Sequence, residues 1–157
     1  MQKCRDDIKK HLFENGKIKD LSDALSLERL DSLRFLPLVL YEAMRYEPPV
    51  SFSIRSYLTK NARVGKMEIR AGDSLAVNLY GLHHNSEEWI EPEKFIPERF
   101  DPSSPYALTP KGEKRDTYSY MPFIGGRRIC LGKTLAEMTA KAQVSAFIHS
   151  FDFTFED

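Results

Sequence analysis

Phe123-Ile124-Gly125-Gly126-Arg127-Arg128-Ile129-Cys130-Leu131-Gly132 gathers one cysteine, three glycines and two adjacent arginines, and it runs directly into a segment of helical periodicity. A cysteine just before a helix lies at the positive end of the helix dipole, beside free backbone N–H groups. Both effects favour thiolate over thiol, and a thiolate can attack a substrate or bind a metal. Gly126 and Gly132 flank Cys130 without side chains, so a flat, bulky ligand can lie against the backbone. Arg128, two residues before Cys130, offers a fork of donors suited to a carboxylate. An iron porphyrin has the matching parts: a metal that takes thiolate, a flat face and propionates at its rim. The plainer alternative is a buried structural cysteine in a glycine-rich turn.

The same stretch fits F-x-x-G-x-R-x-C-x-G at Phe123, Gly126, Arg128, Cys130 and Gly132. It resembles the haem-binding signature of the cytochrome P-450 superfamily of haem-thiolate enzymes. The resemblance implies haem as cofactor and Cys130 as the catalytic thiolate and axial ligand of its iron. It also implies that Phe123, Gly126, Arg128 and Gly132 bind the cofactor. The implied reaction inserts one oxygen atom of O2 into an apolar organic substrate. The thiolate would favour O–O cleavage, and a reductase would deliver electrons on the Cys130 side. Two alternatives stay open. One is a reductase-independent peroxide isomerase or dehydratase of the same superfamily. The other is a non-catalytic, truncated haem-binding fragment.

Downstream of the cysteine, Leu131 to Ser150 reads as a helix, with Leu135, Met138, Ala142, Phe147 and Ile148 as its apolar stripe. Phe151 to Phe155 reads as the start of a strand. Upstream, Asp101 to Pro122 is a polar loop with four prolines, too long for a simple connection. Lys111, Lys114, Arg115, Arg127 and Lys133 make this part basic. A basic loop is ordinarily a solvated surface. The sharper reading is a docking face for an acidic electron donor, a reductase near Arg127 and Lys133. Trp89, Pro92, Phe95, Pro97 and Phe100 form an aromatic and proline belt similar to the superfamily's W-x-x-P-x-x-F-x-P-x-R-F run. His83 and His84 read as non-ligands, because adjacent side chains on a helix or strand point apart.

Further out, Val64–Ile69 and Ser74–Leu79 read as strands joined by a turn at Ala71-Gly72-Asp73. Val50, Phe52 and Ile54 alternate with Ser51, Ser53 and Arg55, which predicts a strand over 50–57. The resemblance implies that Val50, Ser51, Phe52 and Ser53 line a substrate pocket and that Arg55 contacts a haem propionate. Leu33, Leu36, Leu40, Ala43 and Met44 recur at helical spacing over 32–46, with Pro37 in the first turn and Pro48-Pro49 as a stop. Glu42 and Arg45 share a face of that helix. Such a pair is ordinarily a solvated surface ion pair. Here it resembles the superfamily's E-x-x-R motif, and Pro97-Glu98-Arg99-Phe100 supplies the second arginine. The resemblance implies a buried structural triad of Glu42, Arg45 and Arg99. Residues 1–14 read as a surface helix carrying Ile8, Leu12 and Phe13 and stopped by Asn15-Gly16, and Ser26 to Leu30 as a helical turn. Cys4 is given no role.

The 23 basic and 23 acidic residues balance, which argues against nucleic acid as a partner. Two distant cysteines are not a disulfide framework. No apolar run approaches a membrane span, no signal peptide opens the chain and no repeat is present. The expected fold is mainly α with a small β-sheet (α+β), the C-terminal third of the P-450 fold. Residues 1–157 then form a partial domain, expected to lack the central oxygen-activating helix, the final hairpin and the membrane anchor. The resemblance places the whole protein at the endoplasmic reticulum membrane, on its cytoplasmic face.

Overall fold

A computed structural model describes residues 1–154. Among the described residues, six α-helices and four short strands occur in chain order. They are α1 (Gln2–His11), α2 (Leu21–Ala24), α3 (Leu27–Ser32), α4 (Leu36–Tyr46), β1 (Ser56–Tyr57), β2 (Ala62–Val64), β3 (Met67–Ile69), β4 (Ser74–Leu75), α5 (Leu79–His83) and α6 (Lys133–Ser150). The α+β expectation holds, with helices dominant.

The apolar core joins α1, α3, α4 and α6. Cys4, Ile8, Leu12, Phe13, Leu30, Leu33, Leu36 and Ile148 are all buried in it. Burying one such Leu or Ile side chain contributes about 1.5–3 kcal/mol. The inner face of α1 is therefore core, not surface. The helix ends as the sequence predicts, with Asn15 and Gly16 at φ 55° and 96°. One carboxylate couples α1 to α4. Asp7 accepts from the amides of Arg34, Phe35 and Leu36 at 2.8–3.1 Å, supplying from outside the cap that Phe35 lacks. A negative charge at a helix N-terminus is stabilising in itself. Pro37 sits in the first turn of α4, where its missing N–H costs nothing.

The strands depart from the sequence expectation. Val64–Ile69 is not one strand but a hairpin, in which β2 and β3 pair antiparallel with Val64 opposite Met67. Gly65 makes the fold-back possible at φ 58°. The turn at Ala71-Gly72-Asp73 does form, with Gly72 at φ 93°, but it links β3 to β4 without pairing them. Strand β4 instead pairs with β1, Ser56 opposite Leu75 and Tyr57 opposite Ser74. The expected strand over 50–57 shrinks to β1 and a single bridge from Phe52 to Asn78. The Ser53 hydroxyl explains the break. It accepts from the Val77 amide at 2.8 Å and donates to the Ile54 carbonyl at 3.3 Å, where a regular ladder would use backbone groups. Helix α6 starts at Lys133 rather than Leu131. Phe151–Thr154 carry no regular structure, and Phe155 lies outside the described residues.

Candidate functional site: a thiol loop over an apolar cavity

The site has a rigid back and an open front. At the back, Glu42, Arg45 and Arg99 are fully buried. Glu42 accepts from Arg45 Nε at 2.8 Å, Arg45 Nη2 at 2.9 Å, Arg99 Nε at 3.2 Å and the Ile96 amide at 2.8 Å. Three spare guanidinium nitrogens meet backbone carbonyls. Arg45 Nη1 donates to His83 at 3.0 Å, Arg99 Nη2 to Glu91 at 2.6 Å, and Arg99 Nη1 to Ile90. Glu91 holds its carbonyl there from a left-handed backbone at φ 48°. Burial pushes the Arg99 guanidinium below its ordinary value, with Glu42 opposing that shift.

Sequence reasoning missed a further cation. Arg115, read as part of a basic surface, turns inward. Its guanidinium lies 4.3 Å from the Trp89 ring centroid and donates to the Tyr106 carbonyl at 2.7 Å and the Arg99 carbonyl at 2.5 Å. Arg45 lies 5.4 Å from the centroid of the same ring. One glutamate thus pairs with two fully buried arginines beside a third, partly buried one, and carbonyl oxygens and an indole face meet the remaining positive charge. The aromatic belt closes this region. Phe100 and Tyr120 lie 4.8 Å apart, and the Tyr120 hydroxyl donates to the Tyr41 carbonyl at 3.0 Å. Burial raises the Tyr120 phenol well above its ordinary value, so it stays neutral.

The loop springs from this back wall. Gly126 adopts φ 68°, which suits glycine, and Ile124 is held at φ 60°, a strained region for a β-branched side chain. The Cys130 amide donates to the Phe123 carbonyl at 3.0 Å, closing the loop on itself. Cys130, Arg127, Arg128 and Leu131 are exposed. Gly132 has φ −82° and needs no special conformation; a Cβ there would lie 3.9 Å from the Cys130 sulfur.

Behind the loop, between α4 and α6, is a cavity of about 610 Å³. Leu40, Met44, Val50, Ile54, Leu79 and Ala136 contribute apolar walls, and Phe123, Arg128 and Cys130 line it too. Of the residues expected in a substrate pocket, Val50 lines this cavity. Ser51, Phe52 and Ser53 do not, and Ser53 is engaged with Val77. Ile54, 84% exposed, lines it instead. Arg55 is exposed and does not line it. Among the described residues, Arg55, Arg127 and Arg128 have no carboxylate partner. His83 and His84 serve different neighbours. His83 Nε2 meets the Met121 amide at 2.9 Å, whereas the His84 ring stacks on Tyr80 with centroids 4.1 Å apart.

A family model for cytochrome P450 matches residues 1–157. The chain belongs to the cytochrome P450 family. Cytochrome P450 4A10 of Mus musculus is 30% identical over 151 residues, 96% of this chain and 26% of its own length. Cytochrome P450 716A67 of Medicago truncatula is 35% identical over 127 residues, 80% of this chain and 23% of its own length. A retinoic acid-bound cyanobacterial P450, CYP120A1, superposes with a TM-score of 0.74 at 27% identity, over 94% of this chain and 32% of that one. The chain thus spans about a quarter of the length of the curated relatives it matches. Haem is the cofactor that this P450 membership implies. The residues present fit it: a thiol on the lining of an apolar cavity, beside a guanidinium that has no carboxylate partner among the described residues.

Proposed function

We propose that this P450 chain carries the haem-thiolate portion of a monooxygenase that inserts one oxygen atom of O2 into an apolar organic substrate. The observation that carries the reading is Cys130 on the lining of the apolar cavity beside Arg128. Cys130 would hold haem iron as thiolate. Haem bound there supplies oxygen activation, which electron density from sulfur assists. Phe123, Gly126 and Gly132 shape the loop that presents the sulfur. Arg128 holds one propionate carboxylate, and Arg55 is the proposed second partner. Leu40, Met44 and Val50 keep water from the cavity. Val50, which lines the cavity, is the proposed substrate-facing residue. Glu42, Arg45 and Arg99 touch no reacting atom; they fix the wall from which the loop springs.

Electrons come from a reductase docking near exposed Arg127 and partly exposed Lys133. The setting proposed is the cytoplasmic face of the endoplasmic reticulum membrane. Among the described residues no helix is long and apolar enough to cross a membrane. Two relatives carry activities in their names, a taurochenodeoxycholic 6 alpha-hydroxylase of Sus scrofa and a tabersonine 16-hydroxylase of Catharanthus roseus. Both names denote hydroxylation, in keeping with the proposed reaction.

The test is turnover of the intact protein on a panel of apolar substrates. Product formation that needs both reductase and O2, with labelled oxygen in the product, supports the proposal. Conversion of organic peroxides without a reductase would favour isomerase or dehydratase chemistry instead.

A further inference from the structure

We propose that His83 is a positioning residue for the Cys130 loop, acting through the hydrogen bond that its Nε2 accepts from the Met121 amide. His83 is fully buried at the end of α5 and is held at two points. Its backbone carbonyl accepts from Arg45 Nη1 at 3.0 Å, which ties the main chain to the Glu42–Arg45–Arg99 network. Its ring reaches across to Met121 at 2.9 Å. From Met121 the connection continues into the loop. The Met121 carbonyl accepts from the Ile124 amide at 3.0 Å, and the Phe123 carbonyl accepts from the Cys130 amide at 3.0 Å. His83 is thus a side-chain link between the buried ion network and the segment that sets the position of the cysteine.

The link works in one protonation state. Because Nε2 accepts, the ring proton sits on Nδ1, which faces the Met44 carbonyl without reaching hydrogen-bond geometry. A second proton on Nε2 would set two N–H donors against each other. The surroundings oppose that proton. The ring is buried, Arg45 from α4 and His84 just past the end of α5 oppose a further positive charge, and the Tyr120 ring packs 5.3 Å away. The value falls to about 4, so the acceptor form holds at neutral pH. The effect on haem ligation rests on Cys130 being the ligand; the positioning of Met121 does not.

The experiment measures the exchange protection of the Met121 amide in the intact protein, with the carbon monoxide spectrum of the haem-loaded form as a second readout. Three forms are compared: the natural sequence, His83→Gln and His83→Phe. Glutamine places a carbonyl acceptor near the Nε2 position and does not titrate. Phenylalanine fills the space without an acceptor. His83→Phe should lower Met121 protection by about tenfold or more, the scale of one buried hydrogen bond. It should also reduce the thiolate-type fraction of the spectrum. His83→Gln should keep both at neutral pH. On acidification, the natural protein should lose Met121 protection as pH approaches about 4, while His83→Gln keeps it to lower pH. Unchanged protection in His83→Phe, or the same acid midpoint in the natural and His83→Gln proteins, would overturn the proposal. Should His83→Phe fail to fold, that acid comparison decides alone. Protection that behaves as expected beside a spectrum lacking any thiolate signature would leave the positioning intact and remove Cys130 as ligand.

Discussion

The wall around Glu42 and the loop around Cys130 are neighbours built on opposite principles. In the wall, charged side chains are fully buried and every carboxylate oxygen and guanidinium nitrogen is engaged. In the loop and its continuation, apolar side chains face outward: Leu131 is 102% exposed and Leu135 is 73% exposed. The protein hides what is usually exposed and exposes what is usually hidden. Buried ion networks contribute little net stability, because desolvation offsets their attraction, but removing one partner strands the others. They therefore act as geometric locks. The loop contributes little to the core and carries the proposed haem thiolate. A strained Ile124, an exposed thiol and arginines without a carboxylate partner among the described residues sit there beside a wall whose charged groups are all hydrogen-bonded.

The comparison breaks most visibly at Glu42. Glu42→Ala leaves Arg45 and Arg99 without their carboxylate and should cost about 3–5 kcal/mol in urea unfolding. A loss below about 1 kcal/mol would mean that carbonyls alone hold the arginines. The next effect is acidic. His83 has its value lowered by burial from 6.5 to about 4. The unfolded chain then binds the proton more readily than the folded one. The stability that neutral His83 supplies is complete above about pH 6.5 and drains as pH falls toward 4, by about 3 kcal/mol in all. His83→Gln should flatten that part of the stability–pH curve, and an unchanged slope would count against a buried neutral histidine.

On the loop side the expected effects are small. Ile124→Asn trades a β-branched residue for one that tolerates the left-handed region, and should raise the unfolding free energy by about 0.5–1 kcal/mol. A loss instead would show that contact of the isoleucine with the cavity wall outweighs its backbone strain. Leu135→Ser, on the exposed face of α6, should stay within about 0.5 kcal/mol of the natural sequence in thermal or urea unfolding. A larger loss would reveal burial of that face in the intact protein.

The wall and the loop also differ in how much the sequence disclosed. Helical spacing put Glu42 and Arg45 on one face but read them as a solvated pair; the buried triad with Arg99 was legible only through the resemblance to the family's motifs. Periodicity placed Cys130 at a helix start, one turn before α6. Arg115 was hidden, because a basic residue among lysines in a proline-rich loop has no periodicity to show that it turns inward onto Trp89. His83 was legible as a non-ligand but not as a link, because its partner is a backbone amide 38 residues away. The strand over 50–57 misled for a local reason: alternation was present, but Ser53 spends its hydroxyl on the backbone. The outward Ile54 shows the limit of the alternation rule, which gives a face and not what covers it.

The most direct test is the absorption spectrum of the intact protein with haem, reduced and exposed to carbon monoxide, beside Cys130→Ser. The natural protein should show a thiolate-type shift that is lost completely in Cys130→Ser, while the unfolding free energies of the two haem-free forms stay equal within about 0.5 kcal/mol because the cysteine is exposed. A thiolate-type spectrum that survives Cys130→Ser, or haem bound by the natural protein with no thiolate character, would contradict ligation by Cys130.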